Sequence, residues 1–102
     1  MISITLQYDQ LHENNGFSVS GHSDYSEAGS DIVCAAISAL TQTALLGLME
    51  YQQESVEYEI SDGFLNVHVD CVTDEARVIL KTLVLGLEQI VRQYDSYVVL
   101  NR

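Results

Sequence analysis

The sequence predicts an α/β (α+β sandwich) fold of element order ββαββαβ, with two helices packed on a mostly antiparallel sheet. Three observations lead there. Short stretches alternate apolar and polar side chains, two longer stretches carry apolar residues at helical spacing, and turn signals fall between consecutive strands.

Ile2, Ile4, Leu6 and Tyr8 alternate with Ser3, Thr5 and Gln7, which predicts a strand with one buried face. Asn14-Asn15-Gly16 is a turn signal, and beyond it Phe17, Val19 and Gly21 alternate with Ser18, Ser20 and His22. The two strands are expected to pair as a hairpin, with His22 on the polar face. Residues 31 to about 53 form the first helix, with Asp31 as N-cap and Cys34 at the third helical position. From Ile32 to Met49 this helix is apolar almost all round, so it is expected to be covered on most sides.

Val56, Tyr58 and Ile60 then alternate with Glu57 and Glu59, and Asp62-Gly63 is a two-residue hairpin turn. Leu65, Val67, Val69 and Cys71 make the apolar face of the returning strand, which places Cys71 in the core. Thr73 or Asp74 caps a second helix to about Gln93, with Ala76, Ile79, Leu80, Leu83, Leu87, Ile90 and Val91 at helical spacing. Tyr97-Val98-Val99-Leu100 is the last strand.

Composition bounds the function. At 102 residues the chain is expected to be a single domain, residues 1–102. A chain of that size buries roughly 65% of its unfolded surface. The 47% hydrophobic and 19% charged fractions are ordinary for a globular protein. No uninterrupted apolar run reaches the roughly 20 residues of a membrane span. The N-terminus alternates like a strand and lacks the basic start of an export signal, so a cytoplasmic location is expected. Two cysteines in that setting suggest free thiols. The net charge of -11, with four basic residues against fifteen acidic ones, argues against nucleic-acid binding and favours basic partners.

The segment Gly21-His22-Ser23-Asp24-Tyr25-Ser26-Glu27-Ala28-Gly29-Ser30-Asp31-Ile32-Val33-Cys34-Ala35-Ala36-Ile37-Ser38 carries the chemistry. It sets a histidine at a strand end and a cysteine near a helix start, with a short polar loop broken by Gly29 between them. A thiol attacks as thiolate, and a helix N-terminus favours that charge. Cys34 is therefore the candidate nucleophile and His22 the candidate base and acid. The competing role for Cys34 is a small buried hydrophobe.

Asp31 has two roles open to it, capping the helix or orienting the imidazole of His22. Backbone N–H groups at the helix start, that of Cys34 included, are candidates for an oxyanion hole. Gly21, Ser23, Gly29 and Ser38 are the candidate substrate-binding positions. Ser38 lies on the helical face of Cys34, and the loop Ser23–Ser30 is expected to cover the site. No metal or other cofactor is expected. His68 and Cys71 point to opposite faces of one strand, His12 is solvated, and Glu57 and Glu59 face solvent.

Gly-His, a flexible segment and then Gly-x-Asp-Ile-Val-Cys-Ala-Ala-x-Ser resemble the bacterial ribosomal-processing cysteine proteases (Prp). The resemblance is sharpest over residues 21–38 and agrees less specifically in length and element order over the rest of the chain. It implies a cysteine endopeptidase that removes an N-terminal extension from a large-subunit ribosomal protein, a basic substrate suited to an acidic enzyme. The cut segment would be extended and apolar-aromatic, received at a strand edge or in a groove beside Cys34. Relatives usually have Ala after the histidine and a second glycine mid-loop, where this chain has Ser23 and Asp24-Tyr25-Ser26. That departure is expected to stiffen the loop. The rival function is a non-catalytic binding module for a basic ribosomal protein, and another thiol hydrolase or acyltransferase also fits these residues. The apolar first helix further predicts a homodimer.

Overall fold

The computed structural model describes residues 1–21 and 30–102, with the backbone alone for residues 30 and 31. Five strands and two helices follow the expected order: β1 (Ile2–Tyr8), β2 (Asn14–Ser20), α1 (Ser30–Gln52), β3 (Val56–Ser61), β4 (Phe64–Val69), α2 (Asp74–Gln93) and β5 (Val98–Asn101), with a short 3-10 turn at Gln53–Ser55. The fold is α+β. The sheet runs β3-β4-β2-β1-β5. It is antiparallel except for β5, which lies parallel to β1 and makes the sheet mixed.

The register explains the two-layer build. Leu6 stands opposite Phe17 and Phe17 opposite Val67, while Val19 stands opposite Leu65. Apolar side chains from several strands therefore share one face, because cross-strand partners point the same way. The helices cover that face. Val33, Ile37, Ala44, Leu45 and Leu48 of α1 and Ala76, Leu80, Leu83 and Leu87 of α2 join Ile2, Ile4, Phe17, Val67 and Val69 in one core. Thr73 caps α2, its hydroxyl accepting from the Ala76 N–H at 3.2 Å, so of the two cap residues open to the sequence Thr73 takes the position.

Several expectations are corrected. Asn14-Asn15-Gly16 does not turn the chain. The reversal comes earlier, where the Asp9 carboxylate accepts from the N–H groups of Leu11 (2.8 Å) and Glu13 (2.9 Å) and His12 takes φ 61°. The Asn-Asn-Gly run instead makes a β-bulge in β2, since Gln7 pairs Gly16 and Tyr8 pairs Asn14. A Cβ at Gly16 would stand 2.3 Å from the Val67 carbonyl oxygen, so this close approach needs glycine.

β4 ends at Val69, and Cys71 is exposed rather than core. Its carbonyl accepts from Gln52 Nε2 at 2.7 Å, which ties the end of α1 to the β4–α2 link. The last strand starts at Val98, one residue later than expected, because Tyr97 still belongs to a turn in which its N–H bonds the Tyr94 carbonyl. On β3 the apolar alternation does not yield a buried face. Tyr58 and Ile60 are 49% and 56% exposed on this last strand of the sheet order.

α1 begins at Ser30, one residue before the expected cap. Asp31 is thus helical in backbone and not the N-cap, and Cys34 lies one turn beyond the first helical residue. At that depth its own N–H meets the Ser30 carbonyl in the helical ladder, so the unpaired N–H groups belong to the preceding residues. The membrane-span expectation also needs correcting. The helical stretch Ile32–Ser55 is long and apolar enough to cross a membrane by length and composition, although Ser, Thr, Gln and Gly interrupt it. Six of its residues, Val33, Ile37, Thr41, Ala44, Leu45 and Leu48, are buried inside this fold. It is not covered on most sides, since Ile32 and Leu46 are 64% and 67% exposed.

Candidate active site

The site lies at the end of the sheet where β2 runs out. The Gly21 N–H donates to the Gly63 carbonyl at 3.0 Å, joining the end of β2 to the β3–β4 turn. Gly21 has φ +90°, and a Cβ there would stand 2.5 Å from the Met1 carbonyl oxygen. Both facts require glycine, for the backbone angle and for the approach of the N-terminal segment. The position just before His22 is therefore held by two neighbouring backbone segments.

Beside this junction is a cavity of about 260 Å3 between the first half of α1 and the β3–β4 hairpin. Cys34, Ile37, Ser38 and Thr41 make the helical wall, and Ile60 to Leu65 make the opposite one. Cys34 is half-buried and forms no disulfide. A helical Cβ leans toward the helix N-terminus, so the Cys34 side chain points back over the first turn and its unpaired N–H groups. Ile2, Val19 and Ile37 make the deep part apolar, while Ser38, Gln42 and Asp62 add polar groups. Thr41 is 1% exposed, and its hydroxyl donates to the Ile37 carbonyl at 2.8 Å, so its polarity is used within the helix.

Of the residues expected at the site, Gly21, Cys34 and Ser38 line this one cavity. His22, Ser23 and Gly29, with the rest of the Ser23–Ser30 loop up to Gly29, lie outside the described residues, as does the Asp31 side chain. Sequence reasoning missed the opposite wall. The turn Asp62-Gly63 was legible as a turn, but nothing local showed that it would close over the cysteine. The stripe Ile37, Ser38, Thr41 and Gln42 was legible in principle, since these residues share a helical face with Cys34 at spacings of three, four, seven and eight.

Charge is segregated along the chain. Lysine and arginine occur only at Arg77, Lys81, Arg92 and Arg102, and apart from Glu88 and Asp95 every carboxylate side chain precedes them. Arg77 is held by Glu13 at 3.0 Å and also pairs with Asp74. Arg102 pairs with Glu88, whose carboxyl is held below its usual range mainly by that hydrogen bond. None of the four lies among the residues around the cavity. Away from the cavity, His68 Nε2 lies 3.1 Å from Asp70 Oδ1 on the polar side of the sheet. Among the described residues no group of three His, Cys, Asp or Glu converges as a metal site would require.

The chain matches the sequence model of the family "Cysteine protease Prp" over residues 1–99. It is 30% identical over 105 aligned residues to the ribosomal processing cysteine protease Prp of Staphylococcus aureus, covering 99% of this chain and 98% of that one. The structure superposes with a TM-score of 0.84 on crystal structures of an essential ribosomal processing protease Prp from S. aureus. One holds a covalently linked product peptide (29% identity) and another a substrate peptide (24% identity), each match covering 99% of this chain and 98% of the other.

Proposed function

Since the chain belongs to the cysteine protease Prp family and is itself a cysteine protease, we propose that it removes the N-terminal extension of a large-subunit ribosomal protein, with Cys34 as nucleophile and His22 as general base. The supporting observation is the placement of Cys34 at a cavity whose rim is Gly21, the residue directly before His22. His22 takes the thiol proton, and Sγ attacks the scissile carbonyl carbon. The oxyanion is met by unpaired backbone N–H groups of the first turn of α1. The imidazolium then gives its proton to the leaving amine, and water hydrolyses the thioester. Asp31, no longer the cap, is assigned to orient His22. Gly21, Ser23, Gly29 and Ser38 bind substrate, and the apolar depth of the cavity suits an apolar-aromatic side chain next to the cut.

The test uses a synthetic peptide spanning the N-terminal extension and first following residues of the source organism's own ribosomal protein. Wild-type protein cuts it once, and Cys34→Ser does not, as read by mass spectrometry. Cutting by both would discard Cys34 as nucleophile, and cutting by neither would discard the substrate.

We propose further that the protein works in the cytoplasm as a homodimer without nucleic-acid or membrane partners. The outer side of the helical layer supports the dimer. Leu46, Val78 and Leu85 are more than half exposed there, beside an apolar groove of about 420 Å3 between Leu40 and Ala44 of α1 and Ile79 and Leu83 of α2. A continuous apolar patch of this kind marks an interaction surface, and a second copy would cover it with the same residues. Leu46→Glu is expected to shift the protein from dimer to monomer in sedimentation at micromolar concentration. A wild-type monomer under those conditions would refute the dimer, and partition of the wild type into lipid vesicles would assign the face to a membrane.

A further inference from the structure

We propose that the groove between the C-terminal half of α2 and β5 is a binding site for a small organic oxyanion, a carboxylate or phosphate carried on an apolar body. The site is independent of the proteolytic function proposed above. It lies apart from the Cys34 cavity, with no lining residue in common, and β5 is at the opposite end of the sheet from β3.

Charge marks the place. The chain has four basic residues against fifteen acidic ones, yet three of the four, Lys81, Arg92 and Arg102, gather around one carboxylate, that of Glu88. Arg102 pairs with Glu88 directly. That hydrogen bond is the main force holding the Glu88 carboxyl charged, and Lys81 and Arg92 lie close enough to add to it. Lys81, Glu88 and Arg92 follow at spacings of seven and four, which puts them on one face of α2. One carboxylate offsets one of three cations. Among the described residues neither Lys81 nor Arg92 is within ion-pair distance of another carboxylate.

Shape defines the ligand. Glu88, Val91, Arg92, Leu100 and Arg102 line a groove of about 320 Å3, at the lower end of the range for small-molecule sites. Val91 and Leu100 are half-buried and pack against the core, so the floor is apolar and fixed. Arg92 stands in the last turn of α2, and Arg102 directly follows β5 on the other side. A guanidinium is a planar fork of donors that matches the oxygens of a carboxylate or phosphate. Two such forks over an apolar floor suit a ligand with its charge at one end and an apolar body at the other.

Nothing else in the surroundings favours an anion. The C-terminal end of α2 carries partial negative charge, and a protein of net charge -11 repels anions as a whole. An anion in this groove is therefore held by these side chains, and single substitutions are expected to release it.

The experiment titrates wild-type protein with phenyl phosphate and with benzoate at constant ionic strength and follows backbone amides by NMR. Benzyl alcohol and inorganic phosphate serve as controls. The expected result is a set of saturable shifts confined to residues 88–92 and 99–102, with a dissociation constant on the order of 1 mM for the better ligand. Arg92→Gln and Arg102→Gln should each weaken binding about tenfold, and Lys81→Gln about threefold. Glu88→Gln should tighten it about threefold, because the Arg102 fork is no longer shared with a carboxylate. Thermal melts check that each variant folds. If Arg102→Gln loosens β5, Arg92→Gln decides alone, since it breaks no ion pair.

Tighter binding of phenyl phosphate would make the ligand's group a phosphate, and tighter binding of benzoate a carboxylate; either supports the site. The site would be abandoned if neither ligand saturates by about 10 mM, or if the shifts are scattered and survive Arg92→Gln. Benzyl alcohol bound as tightly as the anions would reveal a merely apolar crevice and refute the oxyanion. Inorganic phosphate bound as tightly as phenyl phosphate would refute the organic ligand. Weaker binding to Glu88→Gln would also overturn the proposal, because Glu88 and the ligand must compete for one guanidinium.

Discussion

Cys34→Ala is expected to lower kcat by at least about a thousandfold, and His22→Ala added to it to lower activity no further. Groups that act on one proton transfer are strongly non-additive, because a base without its nucleophile has nothing to deprotonate. The single variant His22→Ala should therefore fall close to Cys34→Ala, the residual rate coming from binding and the backbone N–H groups of α1. Cys34 is only half-buried, so the loss of its sulfur is expected to leave the fold intact. Steady-state kinetics on the extension peptide, with thermal melts of each variant, check the result. Additive losses would mean that the two residues do not share a step, and His22 would have to be reassigned.

Gly21→Ala is expected to damage both stability and turnover. The added methyl would stand 2.5 Å from the Met1 carbonyl oxygen, against backbone that cannot rotate away as a side chain would, and φ +90° is itself a strained angle for alanine. Strain of this kind costs about 1–3 kcal/mol, which for a domain of this size lowers Tm by roughly 5–20 °C. The relief available is to shift the end of β2, which breaks the 3.0 Å bond from the Gly21 N–H to the Gly63 carbonyl and moves the start of the His22 loop. A misplacement of about 1 Å in a reacting group costs on the order of a hundredfold. Measured well below its Tm, Gly21→Ala should therefore lose kcat. Unchanged kcat in the folded variant would show that the Gly21–Gly63 junction does not position His22.

Most of the fold was legible because its signals are local. Alternation in β1 and β4, helical spacing in α2 and the Thr73 cap each depend on residues a few positions apart. The misplaced hairpin turn shows where locality fails. Asn14-Asn15-Gly16 has good turn chemistry, but the Asp9 carboxylate satisfies two N–H groups at an earlier reversal, and Gly16 is needed where β2 passes close to Val67. The alternation of Val56, Tyr58 and Ile60 was read correctly as a strand, but the exposure of Tyr58 and Ile60 follows from the place of β3 at the end of the sheet order, a packing outcome with no trace in six residues. Cys71 failed similarly, since its strand ends two residues sooner than its pattern suggests.

For the active site, the sequence alone determined which residues are the candidates for the chemistry. A glycine, a histidine and a cysteine at a strand end and a helix start are bound to each other by chain connectivity, and thiol reactivity depends on that local setting. Only the tertiary structure decided what faces the glycine and the cysteine. The sheet order β3-β4-β2 brings Gly63 within a hydrogen bond of Gly21 and sets the wall from Ile60 to Leu65 across from Cys34. That partnership joins residues some forty positions apart, and the pairing of strands that far apart is set by the burial of the whole apolar face rather than by any short motif.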